Sequence, residues 1–227
     1  MDTRFRATTG ITLLGGGEVS PLALHRALAL APVLVAVDSG ADHALDAGVR
    51  PERVVGDLDS ISNAARTALG PDRIVHLPDQ DDTDFDKALR VVAAPFLLAL
   101  GFTGARLDHT LAGMSTLLRN PDARLVLDAG VDLCVLVPPA LRLNLPAGLR
   151  LSLYPMRAVG CDSTGLVWPT AGLRLDPFGR VGTSNIVAEG PVTLRPEAPA
   201  LLLMAPISAL EVVLAGLAEA PRWGRAE

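Results

Sequence analysis

Lysine is almost missing from this chain. Among 227 residues and 20 basic side chains, the only lysine is Lys87; the rest are Arg. Aromatic residues are scarce at 4%, and cysteine is limited to Cys134 and Cys161. With a formal net charge of −5, the chain lacks the basic face that a phosphate backbone selects, which argues against nucleic acid as a partner. The two cysteines have no metal-ligand spacing around them and are expected to be core or loop thiols. With so few aromatics, the 49% apolar content must build its core from Leu, Val and Ala. The apolar stretch 91–100 is interrupted by Pro95 and is too short to span a bilayer. The first ten residues carry two Arg but no apolar segment of the signal-peptide kind. No membrane partner is expected, and the chain is expected to be cytoplasmic.

Strand-like and helix-like segments alternate in the first part of the chain. Strands are expected over 11–14, 33–37, 53–55, 73–76, 96–100 and 124–128, and helices over 22–30, 41–47, 63–69, 84–92 and 107–118. This order predicts an α/β fold with a parallel sheet and helices on its faces. From about Val131 the pattern changes to short β-rich runs separated by Pro and Gly, over 132–137, 142–145, 150–154, 166–168, 192–194 and 201–204, with a last helix over 207–218. These predict a smaller antiparallel β-sandwich. The division is placed at Pro138-Pro139, giving domains 1–137 and 138–227.

Ligands of open α/β sheets bind beyond the carboxyl ends of the strands. Those ends carry the residues with chemistry. Asp57 and Asp59, in Gly56-Asp57-Leu58-Asp59-Ser60, repel one another unless a cation or donors intervene, and suit a hard divalent ion such as Mg²⁺. A second acidic cluster, Gln80-Asp81-Asp82-Thr83-Asp84-Phe85-Asp86, surrounds the lone Lys87, a compact point charge where Arg is used elsewhere. Asp84 and Lys87 are three apart, on one helical face; Asp82 is a candidate cap for that helix. Asp38 and Ser39 fit either a helix cap or a ribose or metal-water contact. Gly15-Gly16-Gly17 fits a strand-to-helix turn or a phosphate approach, but is no Walker A sequence. In Gly101-Phe102-Thr103-Gly104-Ala105-Arg106-Leu107-Asp108-His109-Thr110, Arg106 has the fork that clamps phosphate oxygens, and Asp108 can orient His109 or simply pair with Arg106. Trp168 fits a sandwich core or a binding face.

Six segments, in this order, resemble the thiamine pyrophosphokinase family: Asp38-Ser39-Gly40-Ala41; Gly56-Asp57-Leu58-Asp59-Ser60; Asp81-Asp82-Thr83-Asp84 with Lys87-Ala88; Arg106-Leu107-Asp108-His109-Thr110; Ser163-Thr164-Gly165-Leu166-Val167-Trp168-Pro169; and Thr183-Ser184-Asn185. The resemblance implies an N-terminal α/β catalytic domain that binds ATP and Mg²⁺, a β-sandwich that binds thiamine, and a homodimer with active sites at the subunit interface. It implies transfer of pyrophosphate from ATP to the thiamine hydroxyl, with release of AMP. Asp57, Asp59, Asp81 and Asp84 would hold metal. Asp57, Asp59, Asp84, Lys87 and Arg106 would serve catalysis. Gly16, Gly17, Asp38, Ser39, Arg106, Asp108 and His109 would meet ATP. Gln80, Thr83, Asp84, Trp168, Ser184 and Asn185 would meet thiamine. Two departures, Ser39 where Gly is common and Leu58 where Phe is common, bear on affinity rather than on reaction type. Two alternatives remain: a pyrophosphokinase for another hydroxymethyl heterocycle such as a pterin, and a binding protein without catalysis.

Overall fold

Five strands of the first unit run parallel because each is followed by a crossover. The computed structural model describes residues 4–79, 81–104 and 106–224. The order across this sheet is Leu97–Leu100, Ile11–Leu14, Val33–Val37, Arg53–Gly56, Ile74–His76. Ile11–Leu14 is buried along its whole length, as is Leu97–Leu100, which is why both read as unbroken apolar runs. The chain proceeds outward from Ile11–Leu14 in one direction, then returns to place Leu97–Leu100 on its other side. That reversal is a topological switch point, where open α/β sheets form their ligand crevice.

The helices start where the sequence offers caps. Ser20 accepts the Ala23 amide at 3.2 Å ahead of Pro21–Leu30, and Ser62 accepts the Ala65 amide at 3.0 Å ahead of Asn63–Leu69. Each satisfies one donor that the first turn leaves unpaired. Arg26 closes on buried Asp128 at 2.6 Å. A short parallel pair, Phe5–Arg6 with Val92–Ala93, stands apart from the main sheet and was not expected.

By its contacts the chain divides into Met1–Thr116 with Leu127–Ala129, and Leu117–Val126 with Gly130–Glu227, whereas the sequence suggested 137/138. The reason lies in strand pairing. Asp132–Leu136 pairs antiparallel with Leu201–Pro206, so it joins the β-rich unit that follows it. In that unit one antiparallel set runs Gly182–Ile186, Arg150–Pro155, Leu201–Pro206, Asp132–Leu136. A second runs Leu141–Leu143, Val192–Pro196, Val159–Thr164, Arg174–Leu175. The run expected as a strand at 166–168 is instead a loop with a single bridge, Leu166 to Val187. Gly165 ends the preceding strand at φ +73, and a Cβ there would stand 2.5 Å from the Pro191 carbonyl oxygen. Both cysteines are free and buried, and burial pushes their thiols up to about 12 for Cys134 and about 11 for Cys161. Among the described residues no helix is long and apolar enough to cross a membrane.

Candidate active site

Asp38 follows Val33–Val37 with φ 48, and Asp57 and Asp59 follow Arg53–Gly56 on either side of Leu58, whose φ is 67. Carboxylate oxygens of these three residues lie within 4.8 Å of one another. Left-handed backbone at a Leu costs roughly 1–2 kcal/mol, so something must hold it. Leu58 is 3% exposed and packs with Ala36, Val54, Ile61, Ala65 and Leu69. The Arg66 guanidinium donates to its carbonyl oxygen. The turn is thus anchored by its middle residue, with an aspartate on each flank. Asp59 donates its amide to Asp57 Oδ1 at 3.2 Å, and Ser60 donates its hydroxyl to Asp59 Oδ1 at 2.8 Å. Asp42 accepts from the amide of Ser62 at 3.1 Å and also from its hydroxyl, tying the loop's far end to the Gly40–Asp46 helix.

Asp84 approaches the same place from the Asp84–Val91 helix. Its Oδ1 accepts from the Asp57 amide at 3.3 Å and from Lys87 Nζ at 2.9 Å. Lys87 also lies 3.6 Å from Asp57 Oδ2. Gly56, at φ +152, makes this approach possible: a Cβ there would stand 3.3 Å from Asp38 Cβ and 3.4 Å from Asp84 Oδ1. Lys87 is 1% exposed. Burial works against its charge, but bonds to Asp84 and attraction to Asp57 outweigh that and raise its pKa above the usual lysine value. Phe85, on the same helix, stacks on Phe102 with ring centroids 3.8 Å apart, joining this helix to the glycine-rich turn after Leu97–Leu100.

The rest of the second acidic cluster serves the helix. Thr83, not Asp82, is the N-cap: it accepts the Asp86 amide at 3.2 Å and donates to Asp86 Oδ2 at 2.6 Å. Asp82 pairs with Arg90 at 2.6 Å, and Arg90 also reaches Asp79 at 3.3 Å. Asp81 is exposed and donates its amide to Asp79 Oδ1 at 2.9 Å; it lies outside the Asp38–Asp57–Asp59 group. Gln80 lies outside the described residues. Ser39 begins its helix without a side-chain cap bond. Gly17 donates its amide to the Gly101 carbonyl at 2.9 Å, and the Gly16 carbonyl meets His43 Nε2 at 3.1 Å, so this turn is braced within the fold at the switch point. Arg106 holds Asp108 through Nε at 3.2 Å and Nη2 at 2.7 Å, and His109 donates its amide to Asp108 at 3.0 Å. All three are exposed. The hydrogen bonds from Arg106 hold the Asp108 carboxyl below the usual carboxylate range.

In the β-rich unit Trp168 is 58% exposed, so it is no core residue. Asn185 is buried and bonds to the Trp168 peptide. Ser184 is exposed with φ 59, its amide donated to Ser152 Oγ at 3.0 Å. Leu58, Arg66, Asp42 and Ser152 went unnoticed in sequence as supports. Of these, only Arg66 carries a signal, its place on the helix that Ser62 caps directly after the turn.

The acidic group fits a divalent cation. Asp38 Oδ1 is buried without a hydrogen-bond partner. Burial raises the Asp38 pKa, the Ser60 hydroxyl opposes this, and the negative charge of Asp84 adds to it. An orphaned oxygen among like charges is what a hard oxygen-seeking cation satisfies. Asp38, Asp57 and Asp59 are the residues that could hold it, with Asp84 and Lys87 behind them.

A profile described as "Thiamin pyrophosphokinase, catalytic domain" matches residues 24–127. Thiamine pyrophosphokinase 1 of Arabidopsis thaliana is 29% identical over 171 residues, covering 67% of this chain and 64% of that protein. Thiamin pyrophosphokinase 1 of Caenorhabditis elegans is 31% identical over 165 residues, covering 64% and 66%. The chain thus spans less than two thirds of the length of the first relatives it matches. The crystal structure of yeast thiamin pyrophosphokinase aligns with a TM-score of 0.73 at 17% identity, over 94% of this chain and 90% of that one; this likeness carries the fold. The matching profile and the curated relatives agree: this chain is similar to thiamine pyrophosphokinases over its first unit and beyond.

Proposed function

We propose that this chain transfers a pyrophosphoryl group from ATP to the hydroxyl of thiamine, giving thiamine diphosphate and AMP. The carrying observation is the group of three carboxylates within 4.8 Å of one another, with the buried oxygen of Asp38 unpartnered. In this reading the crevice beside Gly16 and Gly17 receives ATP, and Asp38, Asp57 and Asp59 hold Mg²⁺. When bound, the cation neutralises charge on the phosphate oxygens during in-line attack on the β-phosphorus. Lys87 fixes Asp57 and Asp84 in place, which supplies positioning. Arg106 exchanges Asp108 for a phosphate oxygen, an easy exchange for an exposed pair. Asp84 and Thr83 would meet the acceptor's side of the cleft, and Asp81 would be a further acid available to the cation. Trp168 and Ser184 take the thiamine ring in a homodimer, contributed across the subunit interface, in the cytoplasm.

The test is AMP release with thiamine or a hydroxymethyl pterin as acceptor, in the parent protein and in Asp57→Asn. AMP formed with thiamine, and lost in the variant, supports the reading. A pterin preference selects the other pyrophosphokinase, and calorimetric binding of both substrates without AMP selects a binding protein.

A further inference from the structure

The loop that carries Trp168 is fastened along its length, and the Val167 amide donates to the Ile186 carbonyl at 2.9 Å. At its start, the Ala188 amide donates to the Gly165 carbonyl at 2.9 Å. At its end, Thr170 is buried, donates its amide to Ser163 Oγ at 2.8 Å and its hydroxyl to the Cys161 carbonyl at 2.6 Å. Between them sits Asn185, 4% exposed. Its Oδ1 accepts from the amides of Trp168 at 3.2 Å and Ile186 at 2.8 Å, while its Nδ2 donates to the Trp168 carbonyl at 2.7 Å. One side-chain amide therefore grips the Trp168 peptide from both sides. With Oδ1 accepting two bonds, its acceptor capacity is filled from within the fold. A buried side chain used this way is not shaped to touch a ligand, although the resemblance implied a thiamine contact there. The indole, by contrast, stands largely in solvent.

We propose that Asn185 is a positioning residue that holds Trp168 as a preformed stacking platform for a flat heteroaromatic acceptor. An exposed aromatic on a loose loop must give up loop and rotamer freedom when it stacks; one whose peptide is already fixed gives up less, and binds correspondingly better. This rests on the reading above that Trp168 meets the acceptor.

The experiment uses the full chain carrying Trp223→Phe, so that Trp168 is the single indole, and compares it with added Asn185→Asp and Asn185→Ala. Asn185→Asp keeps shape and both acceptor bonds but turns the donor facing the Trp168 carbonyl into an acceptor. Expected in both variants are a larger fast component in the Trp168 fluorescence anisotropy decay, stronger acrylamide quenching, and an acceptor KM raised about tenfold, the scale of one stacking contact. The ATP KM and kcat at saturating acceptor stay within about twofold. Unchanged anisotropy and acceptor KM overturn the proposal, as does a fall in kcat with KM unchanged. If either variant fails to fold, Ser163→Ala, which loosens only the Thr170 end of the loop, is measured in its place and must show a smaller shift of the same sign. Trp168→Ala separates the two layers. If it leaves the acceptor KM unchanged, the acceptor reading fails and the platform with it; if it raises KM while the Asn185 variants do not, only the proposal fails.

Discussion

The acidic edge of the first unit and the Trp168 loop of the second both present candidate site side chains beside a non-glycine residue in left-handed backbone, yet they are finished differently. At the acidic edge, Asp38 and Leu58 hold φ 48 and 67, one carboxylate oxygen is buried without a partner, and Lys87 bonds to Asp84 at 2.9 Å and pairs with Asp57 at 3.6 Å. At the Trp168 loop, Ser184 holds φ 59 with its amide on Ser152, and Asn185 has three bonds. The first region leaves a buried carboxylate oxygen unpartnered; in the second, the Asn185 side-chain oxygen accepts two bonds and Trp168 stands exposed. Strain alone does not distinguish the two. What distinguishes them is whether the polar groups around the strained residue are satisfied.

The contrast breaks most visibly through the carboxylates. Asp57→Asn and Asp59→Asn are expected to lower kcat by at least about 10²-fold, the scale of one charge-stabilising group in an active site, while thermal stability holds or rises. AMP formation in both variants at the parent rate would show that the acidic edge is not the reaction centre. Next in size is Leu58→Ala. It removes the anchor of the turn and leaves a gap among Ala36, Val54, Ile61, Ala65 and Leu69, costing about 2–4 kcal/mol by denaturant unfolding, and it weakens activation by divalent metal. Trp168→Ala is expected to raise the acceptor KM about tenfold and to leave unfolding nearly untouched, since the indole is 58% exposed. If it instead destabilised the fold as Leu58→Ala does, the second region would be core and not a surface.

The same difference explains what could be read from the sequence. Strands buried on both faces, such as Ile11–Leu14 and Leu97–Leu100, announce themselves as apolar runs. Strand-end acids and the i,i+3 pair Asp84–Lys87 follow from spacing. Val159–Thr164 and Gly182–Ile186 were missed because their inward positions include Cys161, Ser163 and Asn185, which pack through hydrogen bonds more than through bulk. The run 166–168 was misread for the opposite reason: Val167 and Trp168 are apolar but exposed. Leu58 was unreadable as a support because nothing in its identity signals φ 67, and Arg66 braces it from the next helix. Lys87 stood out by composition, but its burial came only from the helix face that the Thr83 cap sets.

The smallest expected effect bears most directly on the unpartnered oxygen. Burial raises the Asp38 pKa above 3.8 in the folded chain, with the charge of Asp84 adding to the rise. Below that unfolded value both states are protonated and no penalty exists. As pH climbs, the unfolded chain releases its proton first, so the folded state binds more protons and loses stability relative to the unfolded one, until pH passes the raised value. Asp38→Asn carries no such penalty. At pH 7 without metal it should be more stable than the parent, by about 1 kcal/mol or less for a half-exposed group, read as a Tm higher by up to about 4 °C; at pH 3 the difference should vanish. Adding Mg²⁺ at pH 7 should raise the parent's Tm by mass action and the variant's far less. A parent that gains nothing from divalent metal, alongside a variant no more stable than it, would mean that the acidic edge is as complete as the Trp168 loop.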